Sequence, residues 1–143
     1  MKRLLALALF IGAMVFSAPG CNRSGVGKAD LTYDRLMYIA QAYMSATDEQ
    51  GAPTKREDLI PYLQKFGNPE EILISDNDKA EFVILWNIDY RTYLNEGKLI
   101  PVTAYEKKGM GGRRYVLQGR VVSTLTDAQF DQVAFPPGHK PPS

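Results

Sequence analysis

The sequence is poor in the residues that most catalytic and metal centres need. Its 143 residues include one cysteine, one histidine and one tryptophan. A single cysteine, Cys21, excludes an internal disulfide, and a zinc site usually needs three or four placed ligands. The lone histidine, His139, lies in a proline-rich stretch, where we expect a solvated side chain rather than a base held beside a nucleophile. The sequence therefore predicts a protein that is not an enzyme and has no cofactor.

An excess of charge of one sign is also missing. The chain has 17 basic and 16 acidic residues, and without Lys2 and Arg3 there are 15 basic residues against the 16 acidic ones. A nearly neutral chain has no electrostatic reason to bind a phosphate backbone. Nucleic acid is therefore not an expected partner.

The amino terminus lacks a hydrophobic run long enough to cross a membrane. Lys2 and Arg3 precede thirteen uncharged residues at positions 4–16. A transmembrane helix needs about 20 apolar residues, whereas the core of a secretory signal has about 7 to 15. We therefore predict a signal peptide over residues 1–20.

The end of this segment resembles the lipoprotein box of exported bacterial proteins. Residues 17–21 read Ser-Ala-Pro-Gly-Cys. The resemblance implies cleavage before Cys21 and acylation of its thiol, although the box usually has a large aliphatic residue where Ala18 stands. The alternative is cleavage by an ordinary signal peptidase after Ala18 or Gly20, which leaves a free thiol. Acylation predicts a membrane partner and a cell-envelope location that faces the periplasm or the exterior, since two or more acyl chains anchor a protein stably.

The chain from the cysteine onwards divides into three regions. Residues 21–30 are small and polar and predict a flexible tether. Residues 31–133 carry helix and strand patterns and predict a single domain. Residues 134–143 contain four prolines and predict an extended, poorly ordered tail.

The first part of the domain has apolar residues at helical spacing. Residues 31–47 predict a long helix that either Asp30 or Thr32 caps. A capping box at 54–57 predicts a second, short helix, and another at 126–129 opens a short helix at the end of the domain.

The second part of the domain has the alternation that is typical of strands. Residues 81–88 are apolar on both faces and predict a central strand. Residues 99–106 predict a strand that Pro101 places at an edge or gives an irregular start. Residues 113–118 and 120–125 predict a hairpin. The expected fold class is α+β, a long amino-terminal helix packed on a small antiparallel sheet of three to four strands.

These elements resemble the globular head of a type IV pilin or of a type II secretion pseudopilin. The similar stretches are 36–43 (LMYIAQAY), 51–54 (GAPT) with 58–63 (DLIPYL), and the strands 104–106 (AYE) and 114–117 (RYVL). The resemblance spans about residues 31–133. It implies a pilin-like head, in which a long helix leads to a Gly-x-Pro turn, a short helix and a sheet laid across the long helix.

The amino terminus departs from that family. A pilin keeps a hydrophobic first helix with a glutamate near its processed end and assembles into a filament through it. Here the hydrophobic run is short and ends in a cysteine box, and residues 32–35 (Thr-Tyr-Asp-Arg) do not suit a filament core. The resemblance therefore implies a pilin-type head on a lipid anchor and does not extend to filament assembly.

One short segment has side chains that suit a metal ion. Asp76, Asn77 and Asp78 place three oxygen-bearing side chains together, as calcium prefers, and some pseudopilins bind calcium in a loop of the sheet region. The same cluster is common in plain turns. We favour the turn and keep these three residues as a calcium candidate.

Aromatic and acidic side chains give few further candidates. Tyr90 and Tyr93 are the expected contacts for a partner, whereas Trp86 has the strand parity of a core residue. Glu81 and Glu106 have no other carboxylate close in sequence, so no acid–base pair is visible.

A glycine-rich loop, 109–112, has basic residues on both sides: Lys107, Lys108, Arg113 and Arg114. The P-loop pattern and its following helix are absent from this stretch. A solvated hairpin turn is the favoured interpretation. Contact with anionic lipid or with an acidic patch of a partner is the alternative.

Together these patterns predict an exported, lipid-anchored, non-enzymatic interaction or scaffold domain of the cell envelope, accessory to a secretion or pilus-like assembly. Its partners are expected to be the membrane and an unidentified envelope protein. The alternative is an envelope lipoprotein that binds a small ligand or glycan through Tyr90, Tyr93 and nearby loops. A lipid-anchored hydrolase ranks last, because one histidine and one cysteine leave few nucleophile–base pairs.

Overall fold

The computed structural model describes residues 30–139 and Pro141. The predicted signal peptide, Cys21 and the predicted tether as far as residue 29 lie outside the described residues. In the described part, no helix combines the length and the apolar character that a membrane span requires. Within the described residues, five helices and four strands follow one another in the order α1, α2, α3, β1, α4, β2, β3, β4, α5. Their bounds, in the same order, are Leu31–Gln50, Arg56–Leu63, Pro69–Ile72, Val83–Ile84, Tyr90–Asn95, Val102–Tyr105, Arg113–Gln118, Val121–Thr126 and Asp127–Phe130.

Helix α1 begins at Asp30, one of the two caps that the sequence allows. The Asp30 carboxylate accepts a hydrogen bond from the backbone N–H of Tyr33 at 3.2 Å. The other candidate, Thr32, is buried, and its hydroxyl accepts from the backbone N–H of Asp76 at 3.1 Å. The inner face of α1 is fully buried at Leu36 and Ile39. Burying side chains of this size contributes about 1.5–3 kcal/mol each, so packing holds the helix in place.

Helix α2 has a different cap from the predicted one. The Asp58 carboxylate, rather than that of Glu57, accepts from the backbone N–H of Thr54 at 2.8 Å and from its hydroxyl at 2.9 Å. These hydrogen bonds from Thr54 hold the pKa of Asp58 below its ordinary value. The four-residue helix α3 follows, capped by Asn68, where the sequence predicts a loop.

The four strands form one antiparallel sheet in the order β1-β2-β3-β4. With α1 packed on it, the sheet confirms the predicted α+β class. The β3–β4 hairpin pairs Arg113 with Thr126 at one end and Gln118 with Val121 at the other. We call the first of these the amino end, because α1 starts beside it, and the second the turn end.

Strand β1 contradicts the predicted central strand over 81–88. It has two residues and lies at the edge of the sheet. The reason is a buried hydroxyl: Tyr43 on α1 donates to the carbonyl of Leu85 and accepts from the N–H of Ile88, both at 3.0 Å. These backbone groups are therefore satisfied by a helix side chain. Asn87 then adopts a φ of 61°, which takes the chain out of the extended conformation.

Strand β2 begins irregularly, with a register shift between Val102 and Ala104, which is one of the two expectations for 99–106; the other, an edge position, is wrong. It lies between β1 and β3, and all four of its residues are buried. Pro101 comes just before the strand, so its missing N–H is not needed by the sheet. The N–H of Val102 donates to the carbonyl of Ala134 at 3.1 Å, so the chain beyond α5 returns to this strand.

The returning segment, 134–139, makes contacts that differ from the expected solvated tail. The ring of Phe135 lies 5.2 Å from that of Phe130 and 5.9 Å from that of Tyr105, measured between centroids. The Tyr105 hydroxyl and Nε2 of His139 are 3.0 Å apart. His139 is therefore half-buried in an aromatic cluster. The sequence analysis predicted a poorly ordered tail from its four prolines and did not consider that Phe135 could pack against the core.

The helix α5 forms as its capping box predicts. The backbone N–H of Gln129 donates to the Thr126 hydroxyl at 3.3 Å, and the Gln129 side chain accepts from the Thr126 N–H at 3.0 Å. This reciprocal pair satisfies two amides that a helix start leaves free. It also ends β4 at the amino end of the hairpin.

Candidate functional site

The amino end of the sheet has a fully buried carboxyl group, that of Glu106. Glu106 comes directly after β2 and accepts from the backbone N–H of Tyr115 at 2.7 Å. Its other oxygen accepts from the hydroxyl of Ser75, which is also fully buried. Both carboxyl oxygens therefore have partners within the domain. This geometry joins the turn after α3 to the start of β3, and each oxygen already has a hydrogen-bond partner within the domain.

A small polar recess opens above this carboxyl group, with a volume of about 170 Å³. On its rim the Tyr115 hydroxyl donates to the carboxylate of Asp30, the first residue of the described chain. This hydrogen bond, together with burial, raises the pKa of Tyr115. The Tyr33 ring packs edge-on against that of Tyr115, with centroids 6.4 Å apart. The start of α1 is thus fastened to β3 at the amino end. The recess is lined by Asp30, Asn77, Glu106, Met110, Arg113, Tyr115 and Thr124.

The glycine-rich loop connects β2 to β3 at this same end. Met110 and Arg113 exchange backbone hydrogen bonds at 2.8 and 3.2 Å, so the turn is closed. Gly109 has a φ of 70°, and a Cβ atom there would lie 2.1 Å from the carbonyl oxygen of Arg113. Only glycine fits this position. The chain therefore projects Met110 outwards, where its side chain is 65% exposed.

The basic residues around the loop divide into two kinds. Arg114 is mostly buried and braces the loop: its guanidinium lies 4.2 Å from the centre of the Phe130 ring, 2.7 Å from Asp127, and 3.3 Å from the carbonyl of Lys107. Lys107, Lys108 and Arg113 are exposed. The backbone of the loop is fixed, while three of its cationic side chains remain in solvent.

The calcium candidate, Asp76 to Asp78, is a turn beneath this loop. One Asp78 oxygen accepts from the N–H of Lys108 at 2.8 Å and of Gly109 at 3.0 Å, and the other accepts from the N–H of Ala80. Burial alone would raise the pKa of Asp78, but these amides lower it below its ordinary value. Asp76 contacts the ammonium of Lys79 at 2.7 Å. Among the described residues, no group of three or more His, Cys, Asp or Glu side chains has the arrangement of a metal site.

The turn end of the hairpin has an exposed apolar patch instead. Leu99 is 85% exposed, Val121 63% and Leu94 59%. They border a shallow depression of about 340 Å³ together with Lys98, Ile100 and Gln118. Large apolar side chains are exposed singly on most proteins, but a cluster at one depression indicates a contact surface. We call Leu94, Leu99 and Val121 the apolar patch.

The aromatic residues chosen from the sequence do not form a surface patch. Tyr90 is buried, with 8% of its surface exposed, and its hydroxyl donates to Asp48 at 2.6 Å. Burial and this carboxylate raise the pKa of Tyr90 to about 12. Tyr93 and Trp86 are half-buried and pack against the core, as expected for Trp86. The sequence predicted a surface contact for Tyr90, whereas this residue opens helix α4 and its hydroxyl group reaches Asp48 on α1.

The sequence contains only weak indications of the site residues that were not predicted. Glu106 ends a run of apolar strand residues, so strand parity marks it as inward-facing, but its partner Ser75 lies 31 positions away. Leu94 and Leu99 were not singled out, because an apolar residue near a strand is usually core. No protein-family model, curated protein or solved structure matches this chain.

Proposed function

We propose that this chain is an exported, lipid-anchored, non-enzymatic interaction domain of the cell envelope, attached through Cys21. It meets its protein partner with the apolar patch and serves as an accessory to a secretion or pilus-like assembly, as its pilin-like sequence stretches suggest. The observation that carries this proposal is that the predicted attachment point and the apolar patch lie at opposite ends of the β3–β4 hairpin. The chain enters the domain at the amino end, and the exposed apolar side chains cluster at the turn end.

The distance between the two ends favours simultaneous contact with a membrane and a protein. Strand β3 has six residues, so its first and last residues lie about 17 Å apart. A surface at the turn end therefore faces away from an anchor that leaves the domain beside Asp30. A partner can cover Leu99 without displacing the attachment at the amino end.

The bonding of the polar groups supports a role without catalysis. Each Glu106 oxygen accepts a hydrogen bond from inside the domain, and Ser75, the hydroxyl donor to this carboxyl group, is fully buried with it, which closes the pair to a substrate. His139 lies against Tyr105, so the described residues do not pair it with a nucleophile. An activated nucleophile requires a base within hydrogen-bond reach.

The small-ligand alternative has less support. The recess at the amino end has a volume of about 170 Å³, below the roughly 300 Å³ at which ligand pockets begin, and two depressions of about 340 Å³, at the apolar patch and beside Trp86 and His139, are open to solvent rather than enclosed. Tyr90, on which that alternative depended, is buried. A ligand would have to compete with hydrogen bonds that the recess already makes.

The test is site-specific photo-crosslinking in intact cells of the source organism. A benzophenone amino acid replaces Leu99, and the matched control carries it at Gln64, an exposed position on the far side of α2. We expect the Leu99 probe to form one adduct of a single partner mass in the membrane fraction, and the Gln64 probe to form none. Adding Val121→Ser and Leu94→Ser should abolish the adduct while the urea midpoint of the domain is retained.

Two results would contradict this proposal. An adduct of twice the mass of this chain would identify the patch as a self-association surface. Equal adducts from Leu99 and Gln64 would show that the turn end has no preferred partner.

A further inference from the structure

We propose that the glycine-rich loop, residues 107–113, is a lipid-docking loop that rests on anionic headgroups and orients the domain on the bilayer. This inference rests on the proposed lipid anchor and adds a second membrane contact made by the folded domain. In this proposal four exposed side chains share one ligand, an anionic lipid surface. They are the ammonium groups of Lys107 and Lys108, the guanidinium of Arg113 and the thioether of Met110.

The first argument is reach. Cys21 and Asp30 are nine residues apart, so they cannot be separated by more than roughly 30 Å. Asp30 and the loop residues Met110 and Arg113 line the same recess. The loop therefore lies within one side chain's length of the point where the chain enters the domain. Among the described residues, this loop is the exposed segment beside the point where the predicted tether joins the domain.

The second argument is charge. In the part of the chain that the structure describes, no acidic side chain pairs with Lys107, Lys108 or Arg113. The predicted tether adds Arg23 and Lys28, and its one acidic residue, Asp30, accepts a hydrogen bond from the Tyr115 hydroxyl. A basic cluster beside a lipid anchor is the combination that binds anionic leaflets stably.

The acidic residues near the loop have partners other than its three exposed cations. Asp78 accepts the N–H groups of Lys108 and Gly109. Asp127 is paired with Arg114. Asp30 accepts from the Tyr115 hydroxyl. These carboxylates therefore leave the side chains of Lys107, Lys108 and Arg113 available to an anionic surface.

The third argument is shape. Because Asp78 and the backbone hydrogen bonds between Met110 and Arg113 hold the loop, its backbone does not have to be ordered when a surface arrives. Met110 is the apolar residue at the tip, 65% exposed between glycines that add no bulk. A single apolar side chain set among cations suits the headgroup boundary of a bilayer. An acidic protein surface would bind the cations but would leave Met110 without a role.

The experiment places a reporter at the tip of the loop. The full chain carrying Met110→Cys is processed and acylated in cells, purified, labelled at this thiol with a polarity-sensitive dye, and reconstituted in vesicles. Vesicles of phosphatidylcholine with phosphatidylglycerol are compared with vesicles of phosphatidylcholine alone. We expect blue-shifted emission and quenching by spin-labelled lipid on the anionic vesicles, with both signals lost at high salt, since salt screens exposed charges.

Charge variants separate docking from simple attachment. Lys107→Gln, Lys108→Gln and Arg113→Gln together should lower the ratio of docked to free loop by roughly 100-fold, because each basic residue near an anionic surface shifts this ratio by roughly fivefold. The matched control removes three exposed cations elsewhere: Lys55→Gln, Lys65→Gln and Arg120→Gln. It should leave the lipid quenching unchanged.

The outcomes distinguish this inference from the anchor on which it rests. If acylation fails, the chain does not remain with vesicles of either composition and Cys21 takes up the dye as well, which contradicts the proposed function. If the chain stays on the vesicles and the dye at position 110 remains water-exposed on both compositions, the anchor stands and the docking loop is refuted. A dye that is shielded only when native membrane proteins are supplied would instead assign the loop to an acidic protein surface and overturn the lipid assignment.

Discussion

The two ends of the β3–β4 hairpin use their polar and apolar residues in opposite ways. At the amino end, polar groups are buried and matched with one another: Glu106 with Ser75, and Asp30 with Tyr115. At the turn end, apolar groups are exposed, and Leu99 has 85% of its surface in solvent. Burying a carboxyl group and exposing a leucine both cost free energy in an isolated domain.

The difference teaches what each end is suited to do. Matched buried polar groups fix geometry, because the Ser75 hydroxyl and the Tyr115 N–H each have an acceptor on Glu106 at a defined distance. That is what the attachment point of an anchored domain requires. Unmatched apolar surface has no partner within the domain, so its favourable burial is available to another molecule. Substitutions at the two ends should therefore separate stability from binding.

The largest expected effect is at the buried carboxyl group. Glu106→Ala leaves the Ser75 hydroxyl and the Tyr115 N–H without an acceptor, and each buried unsatisfied donor costs about 1–3 kcal/mol. We expect the free energy of unfolding, measured with urea, to fall by about 4 kcal/mol. The control Glu81→Ala removes an exposed carboxylate that pairs with Arg56 at 2.9 Å and should cost less than about 1 kcal/mol. Equal losses would contradict the special role of the buried group.

The next effect concerns the hydroxyl that ends β1. Tyr43→Phe leaves the Leu85 carbonyl and the Ile88 N–H unsatisfied and should cost about 2 kcal/mol. Burial raises the pKa of Tyr43 to about 12 from 10.0, so the neutral form is favoured in the folded state. Its contribution is complete below pH 10 and is lost as the pH rises towards 12. Urea titrations across this range should therefore fall less steeply for Tyr43→Phe than for the unaltered chain.

A smaller effect is expected beneath the glycine-rich loop. Asp78→Ala removes the acceptor for the N–H groups of Lys108, Gly109 and Ala80, which are partly solvated, and should cost about 1–2 kcal/mol. Amide hydrogen exchange at Lys108 and Gly109 should speed up. Because the pKa of Asp78 is lowered from 3.8, the same loosening should develop in the unaltered chain as the pH falls below that value. Unchanged exchange in the variant would show that the loop is held by other contacts.

The smallest effect on stability is expected at the apolar patch. Leu99→Ser should change the free energy of unfolding by less than about 0.5 kcal/mol, since the side chain is already in solvent. The matched control, Leu117→Ala, removes a fully buried leucine from the adjoining strand and should cost about 2–5 kcal/mol. A large loss for Leu99→Ser would mean that the patch supports the fold rather than a partner.

Local patterns predicted the fold better than they predicted the two ends. The long helix, the hairpin and the Thr126 capping box depend on neighbouring residues, and all three form as expected. The position of β1 depends on Tyr43, a residue 42 positions from the Leu85 carbonyl that it binds, and no local pattern reports such a contact. Apolar residues on both faces therefore predicted an interior position for β1, which lies at the edge, and Pro101 allowed an edge position for β2, which lies inside.

The features of the two hairpin ends could not be predicted for a related reason, since they also depend on residues that are distant in sequence. The partners of Glu106 become visible only when the turn after α3 and the start of β3 are brought together. The apolar patch gathers residues from α4, β4 and the segment between α4 and β2, each of which has the composition of ordinary core. Tyr90 is the opposite case, a residue that was predicted to be exposed and is buried. Nothing in the neighbouring sequence indicates that its hydroxyl group will reach Asp48 on α1.

The account depends most directly on the chemistry of Cys21. Trypsin should release the amino-terminal peptide of the mature chain as Cys21-Asn22-Arg23, and its mass can be measured after extraction of the membrane fraction with organic solvent. We predict a peptide that begins at Cys21 and carries two or three acyl chains. A peptide with an unmodified thiol, or one that still contains the leader sequence, would contradict the proposed anchor.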